Sequence, residues 1–476
     1  MRNLVLIFIS LYILTGCVPK VEKIKKFDNS KINKELKTDL NKFNSSELSL
    51  NTQWWKKFKD EQLNSLINEA LNNAPTLKIL KTRYKSAQSI VEINKALKKP
   101  TVGIDGNVSR QRYSENYIFP DPLGGGYYNL YDQGLGLNYD FDFWDKNSSL
   151  IRASINKSLA QKLYIQVKKI AMTTSIVKLY ATLNYKKEQL EKIKVLEKNI
   201  EEKHHILNTL HELGLANQIE INRSSTSLEK VKQNSLDLKI EIEDLKKSLS
   251  IVSGLMPSKI DKLKRVSSFD KYKVFVPKDI HLDVLSHRPD IAIQKYLLLS
   301  KNEYITNAKA QFYPNISLSG LLGFTSFSWA SLFDKSSYAP YIGSAISLPL
   351  FDGNRRENNL NIKTDEYNIQ VQEYNQSVIK AINEVVASLK KFELNKSKIK
   401  VQNNILKSKE KNLDIERKIF KLGLKNKISY IDSKLSLIDE EITKLSLKNN
   451  ELNAQIDLIK ALGGGYKEKG TSLDNN

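Results

Sequence analysis

The sequence predicts a mixed α and β membrane protein in which an internal duplication gives each chain four transmembrane β-strands and long helical hairpins. Three observations lead to this prediction: landmarks repeated in the two halves, four stretches of alternating polarity, and two proline-free segments too long for a globular domain. The shared landmarks are the proline pairs Pro75/Pro100 and Pro289/Pro314, which have the same spacing, and the glycine pairs Gly214/Gly254 and Gly423/Gly463, which also match each other in spacing. Two half-chains offset by roughly 210 residues therefore share one pattern, which indicates a duplication.

The N-terminus predicts export and a lipid anchor. Arg2 precedes a short apolar run, and the run ends at small residues directly before Cys17, the only cysteine of the chain. The run is too short to cross a bilayer as a helix. It resembles the lipobox of bacterial lipoproteins, which implies a signal peptide over 1–16 and fatty acylation, palmitate included, at Cys17. Residues 17–50 would then be the lipid anchor and linker, and Val18 favours sorting to the outer membrane; a free thiol is the alternative.

The charge distribution excludes a nucleic-acid partner. The formal net charge is +22, but the basic residues alternate with acidic ones along helical stretches instead of forming one stripe. An example is the series Glu188, Lys192, Glu197, Glu201 and Lys203.

Four segments alternate between apolar and polar residues, as transmembrane strands do. They cover about 101–112, 134–144, 315–325 and 341–351. The polar side predicts a barrel lumen, and its candidates are Asp105, Asn138, Asp140 and Asp142. A half-buried strand of a soluble sheet would show the same alternation. Three features favour the membrane: strand length, aromatic residues near the strand ends, and long loops at 113–133 and 325–340.

Four strands cannot close a barrel, and lipid cannot satisfy two open sheet edges. The barrel must therefore be shared between chains. Two chains would give eight strands and a filled interior, whereas three would give twelve and a lumen.

Two long helices are predicted at 147–212 and 357–422, where proline is absent. A helix of 66 residues extends about 100 Å, too long for a globular core, so these helices should pack side by side with their neighbours. Gly214 and Gly423 then predict tight turns into return helices at 216–253 and 424–462.

The chain resembles the outer-membrane factor (TolC-like) family, in its lipoprotein, NodT-type branch, over nearly its whole mature length. The motifs that carry the resemblance are Trp54-Trp55 with Asp60-Glu61-Gln62-Leu63, His287-Arg288-Pro289-Asp290-Ile291, Ala310-Gln311-Phe312-Tyr313-Pro314, Leu348-Pro349-Leu350-Phe351-Asp352-Gly353, Phe420-Lys421-Leu422-Gly423 and Ala461-Leu462-Gly463-Gly464-Gly465-Tyr466. The resemblance implies a homotrimer with a 12-stranded β-barrel in the outer membrane and an α-helical tunnel in the periplasm. It divides the chain into a first repeat at 51–254, an equatorial linker at 255–280, a second repeat at 281–462 and a C-terminal tail at 463–476.

The resemblance also implies a function. The protein would be the outer-membrane exit channel of a tripartite efflux pump, passively conducting drugs or other small toxic compounds. Its partners would be a periplasmic membrane-fusion adaptor, an inner-membrane proton-driven (RND-type) pump and outer-membrane lipid. The alternatives are the exit duct of a type I protein secretion system and, from another class, a lipid-anchored coiled-coil scaffold.

The same resemblance implies a gate of charged and polar links at the helical turns. Its candidates are Glu220, Lys425, Ser429, Asp432 and Phe420, with a latch between Glu220 and Lys425. This sequence departs from the family pattern at two positions, where Ser429 replaces a common aspartate and Phe420 replaces a tyrosine. Both departures weaken the inferred latch. The alternative is that these are solvated helix-face charges that contribute little individually.

The histidines and glycine runs of the sequence do not predict a metal site or a phosphate-binding site. His204, His205 and His211 lie near Glu201, but the second repeat has no matching set, so we expect solvated histidines and no metal. The glycine runs 124–126 and 463–465 lack the lysine and serine or threonine of a phosphate loop. We expect neither an enzyme nor a cofactor.

Overall fold

The computed structural model describes residues 19–23, 52–116, 121–264 and 288–466. Cys17, the predicted signal peptide, His287 and most of the predicted equatorial linker lie outside these ranges. The chain divides into two compact units, each assembled from separate stretches of sequence. Among the described residues, the first unit comprises 19–23, 83–116, 121–162 and 293–375, and the second comprises 52–82, 163–264, 288–292 and 376–466.

The first unit contains one antiparallel sheet with the strand order β1-β2-β3-β4. Its strands are β1 Thr101–Arg112, β2 Tyr127–Phe141, β3 Asn315–Ser326 and β4 Tyr341–Ser347. Each repeat supplies one hairpin, and β2 pairs with β3 to join them. β2 begins earlier than the alternation predicts because Tyr127 still pairs with Arg112 at the end of β1. β4 ends before Pro349, since proline has no N–H group to donate to a ladder.

The strand register places the apolar residues of all four strands on one face. Ile104 pairs with Leu135, and Leu135 in turn pairs with Leu322. This face is uncovered: the side chains of Ile104 and Ile342 are each 75% exposed, and that of Ile346 is 72% exposed. A wide exposed aliphatic face on a sheet is typical of contact with lipid.

The opposite face carries the polar residues. Asp105 pairs with Gly134, Asn138 with Thr101 and Ser319, and Asp140 with Ser317. Asp105, Asn138 and Asp140 therefore share a face, because directly paired residues point to the same side.

Asp142 does not belong to this face, contrary to the sequence prediction. It lies just beyond β2, and its carboxylate accepts hydrogen bonds from the backbone N–H groups of Asn147 and Ser148, at 2.8 and 2.7 Å. The Ser148 hydroxyl donates a third bond at 2.5 Å. Asp142 anchors the start of the following helix because a helix N-terminus leaves N–H groups that need acceptors. Alternation alone cannot distinguish such an anchor from a lumen residue.

Aromatic side chains cluster at both ends of the sheet. Tyr113, Tyr128 and Phe327 contact one another at the loop end. At the other end Trp144 stacks on Tyr313 at 4.8 Å, and its indole N–H donates to the carbonyl of Pro314 at 2.9 Å. Amphipathic rings in these positions are typical of the two interfaces of a bilayer.

Eight α-helices are described. They are α1 Glu61–Asn73, α2 Pro75–Ala96, α3 Lys146–Glu212, α4 Gln218–Ser253, α5 Pro257–Asp261, α6 Pro289–Ala310, α7 Arg355–Lys421 and α8 Lys427–Ala461. α3 and α7 have 67 residues each and occupy equivalent places in the two repeats. Among the residues that the structure describes, no helix is both long enough and apolar enough to cross a membrane.

The second unit has a buried core that anchors α1 against α3. Tyr180 of α3 is 1% exposed, and its hydroxyl donates to Asp60 at 2.9 Å while accepting from Gln62 at 2.8 Å. Burial, together with the negative charge of Asp60, raises the pKa of the Tyr180 hydroxyl. Asp60 also caps α1 through the N–H of Leu63. The Trp54-Trp55 and Asp60-Glu61-Gln62-Leu63 motifs thus have a structural role, since both tryptophans are buried.

Candidate gate and channel-lining residues

The turns of the two long hairpins have the same geometry. Gly214 and Gly423 have positive φ angles of 74° and 72°, and no heavy atom would contact a Cβ at either position. The N–H of Leu215 bonds to the carbonyl of Leu210, and that of Leu424 bonds to the carbonyl of Ile419. This is the Schellman arrangement, in which glycine is selected for its left-handed conformation and not for lack of space.

The return helices then begin with equivalent caps. The side chain of Asn217 accepts from the N–H of Glu220 at 3.0 Å, and that of Asn426 accepts from the N–H of Ser429 at 3.2 Å. Glu220 and Ser429 are therefore equivalent residues in the first turns of α4 and α8. A carboxylate there interacts favourably with the positive end of the helix, which gives Glu220 a local stabilising role.

The structure does not bring Glu220 and Lys425 together within one chain. Lys425 pairs with Glu416 of the preceding helix at 2.8 Å, and both residues belong to the second repeat. No ion pair of Glu220 occurs within the described parts of the chain. A latch between these two residues stays a proposal for contacts between chains.

Two ion pairs near the turns do connect the repeats. Lys203 of α3 pairs with Asp432 of α8 at 2.6 Å, and the adjacent Glu202 pairs with Lys427 at 2.5 Å. Each helix therefore contributes one acidic and one basic residue, and the acid of each helix pairs with the base of the other. We call these four residues the crossed quartet. The hydrogen bond from Lys427, with its positive charge, lowers the pKa of the Glu202 carboxyl.

The sequence indicated Asp432 but missed its three partners in the crossed quartet. Glu202 and Lys203 resemble the many other charged pairs of α3, and only the packing of α3 on α8 distinguishes them. The sequence also missed Tyr430, whose ring stacks on Phe420 with centroids 6.0 Å apart. A tyrosine is thus present beside Phe420, although it comes from the return helix.

The ion pairs continue along α3 and α8 away from the turn. Lys192 pairs with Glu441 at 2.6 Å, and Lys178 pairs with Asp457. Thr182 also donates to Asn449 at 3.2 Å. Residues 178–203 of the first long helix are therefore linked to the second return helix over most of the length of that return helix.

His204, His205 and His211 do not form a metal site within the part of the chain that the structure describes. His204 contacts Asn208 through Nε2, and His211 Nδ1 lies 2.9 Å from the carbonyl oxygen of Ala216. Over the described ranges, no group of three or more histidine, cysteine, aspartate or glutamate residues could hold a metal ion.

Comparison with known proteins identifies the family. The family model described as "Outer membrane efflux protein" matches residues 66–252 and 282–464, one segment in each repeat. The chain belongs to the outer membrane efflux protein family. The predicted family and fold class of the chain, its outer-membrane location and its efflux role are thereby confirmed.

Individual relatives agree with this family. The chain is 25% identical to "Multidrug resistance outer membrane protein MdtP" of Shigella flexneri over 435 residues, which cover 87% of this chain and 86% of the relative. It is 25% identical to "Putative multidrug resistance outer membrane protein MdtQ" of Escherichia coli K12 over 478 residues, which cover 96% of this chain and 97% of the relative.

Solved structures share the fold. The Campylobacter jejuni CmeC outer membrane channel superposes with a TM-score of 0.80 at 23% identity and covers 95% of each chain. The Vibrio cholerae outer membrane protein VceC superposes with a TM-score of 0.77 at 25% identity, covering 87% of this chain and 99% of the other.

Proposed function

We propose that this protein is a homotrimeric exit channel for drugs or other small toxic compounds in a tripartite efflux pump. The observation that carries the proposal is the sheet of four strands, which has one exposed aliphatic face, one polar face and two unpaired edges. Three such sheets close into a 12-stranded barrel without open edges, and the polar faces then line the lumen. The relatives named for multidrug resistance support the cargo class.

The proposed lumen residues are Asp105, Asn138 and Asp140. Asp105 lies over β2, since a Cβ built on Gly136 would be 2.9 Å from its Oδ2 atom. Neither Asp105 nor Asp140 forms an ion pair within the described chain, so the proposed lumen face has an uncompensated negative charge. The proposed partners are a periplasmic membrane-fusion adaptor and an inner-membrane proton-driven pump of the RND type.

Cys17 is the proposed lipid anchor. Val21, four residues later in the chain, packs against the apolar cluster of Ile305, Ala308 and Leu360. Lys23 donates to Asn302 at 2.8 Å. These contacts hold residues 19–23 against α6 and α7, close in sequence to the start of β3.

The function is tested with the full-length protein purified from membranes. We expect a mass of three chains in detergent and ion conductance in planar bilayers, and Cys17→Ser should abolish incorporation of labelled fatty acid without abolishing conductance. Deleting the gene should raise drug susceptibility. A monomer that conducts nothing would contradict the channel, and unchanged drug susceptibility with loss of a secreted protein from the medium would assign a protein cargo instead.

A further inference from the structure

The aliphatic face of the sheet changes character towards the loop end of β1. β1 pairs with β2 in a continuous register, so its even-numbered residues all lie on the face that carries Ile104. This face continues through Val108 to Arg110 and Arg112, the last even-numbered residues of the strand. Two guanidinium groups therefore lie on a face that is otherwise largely apolar.

The residues opposite these arginines on β2 are polar as well. Arg110 pairs with Asn129, and Arg112 pairs with Tyr127, so the four side chains form two adjacent cross-strand pairs on one face. All four residues are exposed, and Tyr127 is 66% exposed. We call Arg110, Arg112, Asn129 and Tyr127 the basic patch.

The charged residues of the four strands are divided between the two faces. The strands contain three acidic residues, Asp105, Asp132 and Asp140. Asp132 pairs with Asn107, so it lies on the polar face, as Asp105 and Asp140 do. The only basic residues of the strands are the two arginines of the basic patch. All strand acids thus lie on the polar face, and both strand bases lie on the aliphatic face.

The basic patch has hydrogen-bonding groups that the described parts of the chain leave unused. Within those ranges Arg110 forms no ion pair, and neither Asn129 nor Tyr127 forms a side-chain hydrogen bond. Arg112 donates to Glu115 at 3.0 Å in a solvated pair, whose side chains are 48% and 65% exposed. A guanidinium group, an amide and a phenol hydroxyl are therefore available to a ligand.

The position of the basic patch along the strands matches the headgroup level of a bilayer. Ile104 pairs with Leu135 in the aliphatic part of the face. Val108 then pairs with Tyr131, whose ring contacts that of Trp329 with centroids 5.6 Å apart. The basic patch follows directly. Aliphatic, aromatic and basic residues thus occur in the order in which a bilayer has hydrocarbon, interface and charged headgroups.

The basic patch lies at the end of the sheet that is remote from the long helices. α3 and α7 begin at Lys146 and Arg355, beyond the opposite ends of β2 and β4. Because the long helices lie in the periplasm, the loop end of the sheet lies at the outer leaflet.

The second repeat lacks the two arginines. Ten and twelve residues after Pro100 the first repeat has Arg110 and Arg112, whereas the same spacings after Pro314 lead to Phe324 and Ser326. The ring of Phe324 contacts those of Phe333 and Tyr338 instead. The basic patch is therefore a property of the first hairpin, and a trimer would have three.

We propose that the basic patch binds the headgroup of a phosphorylated glycolipid in the outer leaflet of the outer membrane. Arg110 offers two parallel N–H groups to a phosphate, and Arg112 adds positive charge. Asn129 and Tyr127 both donate and accept hydrogen bonds, which suits the hydroxyl and amide groups of a sugar. The acyl chains then lie along the aliphatic face. This inference rests on the barrel of the proposed function and names the lipid that its outer wall binds.

Lipid binding by the purified full-length protein tests the site. The protein is titrated in detergent with lipid A, a bisphosphorylated glucosamine disaccharide, and bound lipids are counted by native mass spectrometry. We expect up to three lipid A molecules per trimer. Arg110→Gln should weaken binding about fivefold, the contribution of one basic residue near an anionic lipid surface. Arg110→Lys should have an intermediate affinity, since lysine keeps the charge but not the two parallel donors.

Matched controls separate this site from general attraction to anionic lipid. Arg83→Gln removes an exposed charge from α2, outside the sheet, and should leave the affinity unchanged. Lipid A without its phosphates should bind weakly, and equally to the parent and to Arg110→Gln. Asn129→Ala should weaken the binding of lipid A but not that of phosphatidylglycerol, which has no sugar. All three positions are exposed, so the variants should fold.

The outcomes separate this site from the proposed function. Equal affinities of the parent and Arg110→Gln for lipid A would overturn the site, as would undiminished binding of the lipid without phosphates. Equal affinity of the parent for lipid A and phosphatidylglycerol would overturn the choice of a glycolipid. A trimeric, conducting protein that retains no lipid A would overturn the site and leave the channel intact. A monomeric chain that conducts nothing would overturn both.

Discussion

Arg288 is a charged side chain that the second unit buries almost completely. It is 5% exposed, donates to Asp290 and Glu384 at 2.7 Å each, and donates to the carbonyl of Ala461 at 2.9 Å. It thereby connects the start of α6 to α7 and to the end of α8. The His-Arg-Pro-Asp motif of the sequence is explained by this clamp, since Arg288 pairs with the acid two residues later.

Replacing Arg288 by methionine should destabilise the protein by about 2 to 3 kcal/mol. Breaking a fully buried pair costs about 3 to 5 kcal/mol, and the cost is smaller here because both carboxylates are partly solvated. Thermal unfolding in detergent measures the effect, with the exposed Arg83→Met as the control. Equal midpoints for the two variants would show that the clamp contributes nothing.

The stability of the folded protein should depend on pH through the carboxyl group of Asp290. Burial alone would raise the pKa of this carboxyl, but the hydrogen bonds and positive charge of Arg288 more than offset it, and the pKa is lowered. The folded pKa lies below the unfolded one, so the stabilisation is fully present above about pH 4 and is lost as the pH falls through the folded value. The unfolding midpoint should therefore fall less on acidification to about pH 3 in Arg288→Met than in the parent.

Single residues also show where sequence reasoning fails. Asp142 fits the alternation of β2 and yet caps α3, because the strand ends one residue earlier. The family resemblance implies a gate role for Glu220, but the equivalent caps by Asn217 and Asn426 show that Glu220 and Ser429 both lie in the first turn of a capped helix. The spacing and polarity of residues can be taken from the sequence, whereas the partner of a charged side chain depends on which helices pack together.

At the scale of elements, the helices were more predictable than the strands. Proline and glycine positions limit each long helix, so the predicted bounds of 147–212 and 357–422 differ by at most two residues from α3 and α7. The sequence predicts the start of β2 less well, because apolar and polar residues alternate only weakly over 127–133. This segment is a strand because it pairs with β1. Helix ends are set by local chemistry, whereas strand ends depend on a partner that is remote in sequence.

The crossed quartet provides a prediction about the gate. Lys427→Glu places two acids together at the contact between the repeats, so it should loosen the hairpin tips and raise the conductance of the isolated channel. Each exposed pair contributes at most about 1 kcal/mol, and three copies would change the closed fraction by about tenfold to a hundredfold. Adding Glu202→Lys should restore the parent conductance by recreating the pair with reversed signs.

Lys425→Glu is the matched comparison, since Lys425 lies two residues from Lys427 but pairs inside its own hairpin. If Lys425→Glu raises conductance and Lys427→Glu does not, the latch is the contact with Glu220 between chains. If neither changes the conductance, these residues are ordinary surface charges.

At the scale of the whole molecule, the duplication relates the closure of the barrel to the packing of the helices, because each repeat supplies one β-hairpin and one helical hairpin. One hairpin per repeat gives a sheet whose outer strands β1 and β4 have free edges. One helical hairpin per repeat leaves α4 and α7 with exposed apolar side chains, among them Leu236, Ile240 and Leu394. Rotation about a threefold axis would pair the free elements of one chain with those of the next in both cases, which is why a single symmetry can satisfy the sheet and the helices.

The last prediction tests which face of the sheet contacts lipid and which lines the lumen, by comparing two adjacent residues of β1. Ile104 lies on the aliphatic face and Asp105 on the polar face, near the middle of a 12-residue strand. Ile104→Arg should reduce the yield of folded trimer, because arginine on the lipid side at mid-bilayer costs about 2 to 4 kcal/mol. Asp105→Arg should fold normally and shift the reversal potential in a salt gradient towards anion selectivity, since three lumen carboxylates become three guanidinium groups. Equal loss of trimer in both variants, or an unchanged reversal potential in folded Asp105→Arg, would show that the two faces have been assigned to the wrong sides of the barrel wall.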